Sequence, residues 1–252
     1  GDVCVKLIRE AFAALVKEGE TEPGRAYVSE ALNLCEPLAS PSLVPALSLY
    51  LAMGIDTLAM GNFPYPSSYM TGGEALLPSW PLQAACHQAI ETWSKNQKGR
   101  RSGPLSSLAA AANVYYNASG TLKCLALPED EEYDGIWDYQ WCTESMPQES
   151  YFTRDGVHDM FAPFSLSDDE IAAHCLAKYH VTPRPDWIAT LYGGVRGLSK
   201  GSNMVLSNGG LDPWSSGGLK TWLNDDITPV WIPEGAHHID LFFSHPDDPP
   251  SV

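Results

Sequence analysis

Near the C-terminal end of this chain, two short apolar runs each lead straight into a glycine-bearing loop that carries one chemically active side chain. Met204, Val205 and Leu206 run into Ser207-Asn208-Gly209-Gly210-Leu211-Asp212-Pro213-Trp214, and residues 228–232 run into Gly235-Ala236-His237-His238-Ile239-Asp240. Short apolar runs bounded by glycine and proline read as buried strands, so each motif reads as a loop leaving a strand end.

An acid on one strand-end loop and a histidine on the next is the way an α/β-hydrolase holds the last two members of its triad, in the order nucleophile, acid, base. His237 follows Asp212 by 25 residues. In such a triad the acid fixes the imidazole tautomer and stabilises its charged form, and the imidazole takes the proton of a serine. That serine needs a strand, a sharp Gly-x-Ser-x-Gly turn and a helix directly after it. The one match, Gly197-Leu198-Ser199-Lys200-Gly201, is followed at once by the apolar run from Met204. Ser199 therefore reads as part of a surface loop. Ser215 and Ser216, in a glycine-rich turn beside the acid, fit the role no better. The chain reads as lacking its nucleophile.

With 252 residues there is room for one large domain or two small ones. No apolar run reaches the roughly 18–20 residues of a membrane span, so no membrane partner is expected. Residues 1–18 alternate charged and apolar positions at helical spacing and lack the marks of a leader peptide. The net charge of −16, from 31 acids against 15 bases, argues against nucleic acid or an anionic membrane, which need clustered Lys and Arg. It suits a protein of an acidic or extracellular space.

The six cysteines, Cys4, Cys35, Cys86, Cys124, Cys142 and Cys175, form no Cys-x-x-Cys pair, which argues against a structural zinc site. An even, widely spaced set fits three disulfides in an oxidising compartment or six buried thiols, and fifteen pairings are open in the first case. Asn117-Ala118-Ser119 is a glycosylation sequon and favours the secretory reading.

Along the chain, helical periodicity covers residues 2–18, 27–34, 42–60, 81–96 and 105–115, with a break at 19–24, a stiff extended stretch at Asn62–Pro66 and a turn at 99–104. The longest of these, residues 42–60, is apolar almost all round and so reads as buried. Residues 128–134 form an acidic loop. Trp137–Cys142 suits core or site equally. Ser167 opens a helix to Tyr179, with acids in its first turn, and Pro183 and Pro185 stop it. Strand-like runs and glycine-rich turns follow. The division is a helical region over 1–180 and a piece of hydrolase core over 181–252.

Taken together, Ser207–Trp214, Gly235–Asp240, Asn113–Asn117, Tyr139–Glu144, Val181–Pro185 and Ser244–Pro246 closely resemble the prolyl-peptidase family of lysosomal Pro-X carboxypeptidase and dipeptidyl peptidase II. The resemblance implies an α/β-hydrolase core, here only its C-terminal strands, with a large inserted helical cap. It implies a serine exopeptidase that cleaves peptides next to proline, without cofactor or metal. Asp212 becomes the triad acid, His237 the base, and Trp214 a wall of the proline pocket. The implied disulfides are Cys4–Cys86, Cys35–Cys124 and Cys142–Cys175, and Asn117 is the implied glycan site. The family nucleophile lies in a Gly-Gly-Ser-Tyr-Gly-Gly segment upstream of the cap, so the chain resembles the second half of a member, stopping short of the closing helix. The partners implied are a peptide with proline near the scissile bond, an upstream segment or separate chain supplying the serine, and a second copy in a homodimer. The compartment is the secretory pathway, lysosomal, vacuolar or extracellular.

Two departures stand out. Phe242 occupies a position where the family usually has arginine, and a family cysteine near Phe152 is missing together with its upstream partner. Phe242 leans away from binding a substrate carboxylate, while Glu129 to Asp134 and Asp138 lean toward binding an amine. The competing reading is a catalytically inactive secreted glycoprotein of the same fold that binds a partner. Metal binding by His237, His238 and Asp240 is disfavoured, because adjacent histidines on an extended loop point apart.

Overall fold

The computed structural model describes residues 2–96, 103–127, 136–144, 155–164 and 167–252. The N-terminal stripe folds as α1 (Asp2–Gly19), which buries Leu7, Ile8, Ala11, Phe12 and Leu15. Next comes α2 (Glu22–Ala31), earlier than its periodicity suggests. The Thr21 hydroxyl accepts from Gly24 N at 3.1 Å to cap it, and Pro23 sits in the first turn, where its fixed φ suits a helix start. Asn33 in the left-handed region (φ 51) ends it.

Three further helices complete the main core: α3 (Leu43–Met60), α4 (Pro81–Asn96) and α5 (Gly103–Tyr116). Helix α5 packs on α1, α3 and α4 and buries Leu105, Leu108, Ala111 and Ala112. The turn expected at 99–104 is described only from Gly103, where α5 begins. One expectation needs correcting: α3, at 18 residues, is long and apolar enough by length and composition to cross a membrane. Its Leu47, Leu51 and Leu58 are fully buried, however, against α1, α4 and α5, so its apolarity is that of a central core helix.

Disulfides Cys4–Cys86 and Cys35–Cys124 tie α1 to α4 and the end of α2 to the segment after α5. The segment 155–164 lies over α1, where Phe161 meets Phe12 edge to face at 5.7 Å and Arg9 Nε donates to Asp159 O at 3.0 Å.

The aromatic stretch around Asp138 is helical, as α6 (Ile136–Thr143), and joins α7 (Asp168–Tyr179) through Cys142–Cys175. Ser167 and Glu170 form a reciprocal capping box at the start of α7. His180 (φ 58) ends that helix before the prolines do. Two short helices follow, α8 (Trp187–Tyr192) and α9 (Gly194–Leu198), where the sequence suggested strands and turns. Only then come β1 (Met204–Gly209) and β2 (Ile227–Ile232), paired in parallel from Met204↔Ile227 to Gly209↔Ile232. The described chain is mostly helical with a small parallel sheet, an α/β arrangement.

Candidate active site

Because β1 and β2 run parallel and in register, their C-terminal ends deliver two loops to the same edge. Backbone bonds zip the loops together beyond the sheet: Gly210 N donates to Ile232 O at 2.7 Å and Leu211 N to Gly235 O at 2.9 Å. A Cβ on Gly210 would fall 2.3 Å from Pro233 O, so a side chain there would push the loops apart.

Asp212 follows directly and caps a 3-10 turn over Pro213–Gly217, accepting the Trp214 amide at Oδ1 (3.0 Å). Its other oxygen, Oδ2, lies 2.9 Å from His237 Nδ1. Both side chains are mostly buried, at 12% and 18% exposure, so water competes little for the contact. A carboxylate offers only lone pairs, so Nδ1 carries a hydrogen, and it is the neutral ring in this tautomer, with its lone pair on Nε2, that a general base requires. Among the described residues the ring hydrogen-bonds through Nδ1 alone.

Trp214 lies beside the pair, its ring centroid 6.3 Å from that of His237. His238 stacks on the other flank at 3.8 Å with its backbone left-handed (φ 58). Desolvation, and then repulsion between the two imidazoles were both protonated, holds the His238 pKa below the ordinary imidazole range. Asp240 turns away and accepts from Ser207 Oγ at 2.6 Å. Asp212 and Ser207 are thus the partners of His237 and Asp240, whereas the rings of His237 and His238 lie against each other, so the adjacent histidines do not point apart as expected.

The base loop rests on the stretch that leaves α3. Phe63, Tyr65, Ala236 and Ile239 make a small second core, with Phe242 packed against it. Phe242 meets Phe63 at 5.0 Å and Tyr69 at 5.1 Å, so this position supplies an aromatic wedge in place of a charge. His245, from the Ser244–Pro246 stretch, lies on Tyr65 at 4.0 Å.

Ser199 Oγ donates to Arg196 O at 2.9 Å at the end of α9, and Ser199 O accepts from Asn224. Ser216 Oγ is bonded to Pro213 O within its own turn. Neither hydroxyl is bonded to His237. Asn117 Oδ1 accepts from Leu122 N at 2.9 Å, and the side chain is half-buried at the end of α5.

A second polar cluster, not foreseen in the sequence as a unit, lies between α6 and α7. Asp138, 6% exposed, accepts from His174 Nε2 (2.7 Å), Lys178 Nζ (2.7 Å) and Tyr179 OH (2.8 Å). Burial alone would raise its pKa, but the bonds from Lys178, Tyr179 and His174 outweigh it and hold the carboxyl below its ordinary range. This carboxylate is therefore bound within the fold by three side chains. The signal was present in the four-residue spacing of His174 and Lys178, which puts both on one face of α7. Ligand atoms of Asp138, Cys142 and His174 lie within 4.8 Å of one another, but the Cys142 sulfur is spent in a disulfide and cannot serve as a thiolate ligand. The acidic stretch Glu129 to Asp134, and Phe152, lie outside the described residues.

A carboxylate–imidazole pair on adjacent parallel strand ends, beside a tryptophan, is the arrangement expected of the acid and base of a serine hydrolase. The chain belongs to the serine carboxypeptidase S28 family, which it matches over residues 1–252. It is 38% identical over 256 residues to lysosomal Pro-X carboxypeptidase of Homo sapiens, covering 100% of this chain and 49% of that protein. The Pongo abelii counterpart gives the same identity and coverage. Prolyl carboxy peptidase like protein 5 of Caenorhabditis elegans is 29% identical over 272 residues, with 98% of this chain and 50% of that protein covered. The chain spans about half the length of the curated relatives it matches.

Proposed function

We propose that this chain supplies the acid (Asp212) and the base (His237) of a serine carboxypeptidase that releases the residue following proline from a peptide. The carrying observation is the 2.9 Å contact between His237 Nδ1 and Asp212 Oδ2 on neighbouring strand-end loops. In this reading His237 Nε2 takes the proton of an attacking serine and returns it to the leaving amine, while Asp212 holds the tautomer. Trp214 offers the flat apolar wall that a proline ring packs against. The serine and its oxyanion donors come from a segment outside residues 1–252, on the same polypeptide or a separate chain.

Residues 181–252 are then the end of an α/β-hydrolase core and residues 1–180 its helical cap. Exposure of Val205 and Trp231 on a parallel sheet supports this, because parallel strands are ordinarily covered on both faces. The relatives' names and the commitment of Asp138 to Lys178, Tyr179 and His174 favour carboxypeptidase over dipeptidyl peptidase action. Those names, with three disulfides, favour a lysosomal or other secretory compartment.

The test uses the full-length protein and an amino-blocked peptide ending in Pro-Phe. Release of phenylalanine, lost by roughly 10³-fold or more in His237→Ala, is the expected result. A folded His237→Ala protein that still releases phenylalanine at the parental rate would overturn the assignment. A folded parental protein with no turnover of any proline-containing peptide would return the chain to the inactive, partner-binding reading.

A further inference from the structure

Met60, the last residue of α3, touches both sides of the Asp212–His237 pair. The final carbonyls of a helix have no partner within it, and Met60 O is used by the His237 backbone amide, which donates to it at 3.0 Å. The side chain of the same residue turns to the other loop, where its sulfur accepts the Trp214 indole N–H at 3.1 Å. An indole nitrogen only donates and a thioether sulfur only accepts, so the roles are fixed.

These contacts close a circuit. From Met60 O it runs to the His237 amide, through the imidazole to Asp212 Oδ2, through Asp212 Oδ1 to the Trp214 amide, and through the indole back to Met60 Sδ. Both oxygens of the acid are occupied within it. The 3-10 turn bearing Trp214 also packs on α3. The helical region therefore holds the acid loop and the base loop at one point, and that point chooses the plane of the Trp214 ring.

We infer that Met60 is a positioning residue: its carbonyl sets the height of the His237 loop on the helical region, and its sulfur fixes the Trp214 indole as a substrate-facing wall. The inference rests on reading Asp212 and His237 as the acid and base. Since Met60→Leu keeps the carbonyl and the volume but removes the acceptor, it should loosen Trp214 and leave His237 in place. Met60→Gln restores an acceptor oxygen at similar reach.

The experiment follows the full-length protein by two readouts. With indole-¹⁵N tryptophan and the Trp214→Phe variant to assign the signal, hydrogen exchange of the Trp214 indole should quicken about three- to tenfold in Met60→Leu and slow again in Met60→Gln. With the Pro-Phe peptide, KM should rise by a similar factor in Met60→Leu with kcat within about twofold, recover in Met60→Gln, and rise no further when Met60→Leu is added to Trp214→Phe. An indole signal that ignores Met60→Leu, or a loss of activity that falls on kcat and is not rescued by Met60→Gln, would overturn the inference. Failure of the catalytic reading shows separately, as unchanged activity in His237→Ala, while the exchange readout still reports on the circuit.

Discussion

A Cβ atom on Gly209 would stand 2.5 Å from the carbonyl oxygen of Gly235, so the loops that bear the acid and the base meet main chain to main chain. No side chain can shrink to relieve that contact. Gly209→Ala must move one loop by about an ångström, against backbone bonds that hold both. We expect a stability loss of about 1–3 kcal/mol and an activity loss larger than that figure implies, because Asp212 and His237 ride on the displaced segments. Thermal unfolding together with peptide turnover in the full-length protein checks this. An alanine variant with parental Tm and turnover would show that the loops do not depend on the approach.

Asp212→Asn should leave the fold intact and still cost about 10³–10⁴-fold in kcat/KM. The amide can donate to Nδ1, which moves the imidazole hydrogen to Nε2 and removes the lone pair that takes the serine proton. Ser199→Ala should change nothing, since its hydroxyl only closes the end of α9. Kinetics on the two variants side by side separate the roles, and a large loss on replacing Ser199 would reassign the nucleophile.

The stretches that bring Asp212 and His237 together were legible because loop chemistry after a strand is local. Asp212-Pro213 and the paired glycines before it announce a turn, and the spacing to His237 needs only a returning parallel strand. Helix α4 was readable to its ends for the same reason, with Pro81 starting it. What escaped the sequence was set by tertiary contact. α6 is only eight residues long, so its apolar pattern is too brief to read, and it is pinned by Cys142–Cys175 and by Asp138. α8 and α9 are shorter still. Met60 looked like one more apolar residue of a buried helix, because nothing local says that its sulfur faces an indole 154 positions away.

The α6–α7 clasp should make stability depend on pH in a defined window. The Asp138 carboxyl is held below its ordinary value, so its contribution is present above the unfolded value of about 4 and is lost as pH falls through the lower folded value. Lys178 is raised, chiefly by its bond to Asp138, so its contribution is present below about 10.4 and is lost as pH rises through the higher folded value. Asp138→Asn should therefore lower Tm throughout the range from about pH 5 to 9, with the gap from the parent narrowing below about pH 4. A gap that stays constant down to pH 2 would show that the charge of Asp138 is not what holds the two helices.

His238 adopts a left-handed backbone that asparagine and glycine tolerate and β-branched residues do not. His238→Asn should keep the His237 loop in place, and His238→Val should lose about 1–2 kcal/mol of stability. Equal Tm values for the two variants would argue against the strain account.

Asn117 should carry an N-linked glycan when the protein is expressed through a secretory pathway, because its amide nitrogen makes no hydrogen bond among the described residues while Oδ1 is held by Leu122 N. Mass spectrometry before and after deglycosylation decides this, and an unmodified Asn117 in the secreted protein would refute it.

The three disulfides all fall between Cys4 and Cys175, and the strands, their loops and the segment to Val252 carry none. Covalent stitching thus stops short of the chemistry. Heat or denaturant would peel the C-terminal segment from the stapled helices before those helices melt, and Asp212 and His237 would depart together on the one piece. Such a protein would lose its working end early yet keep a collapsed, protease-resistant remainder, so that survival of the folded helices would be a poor guide to survival of the site.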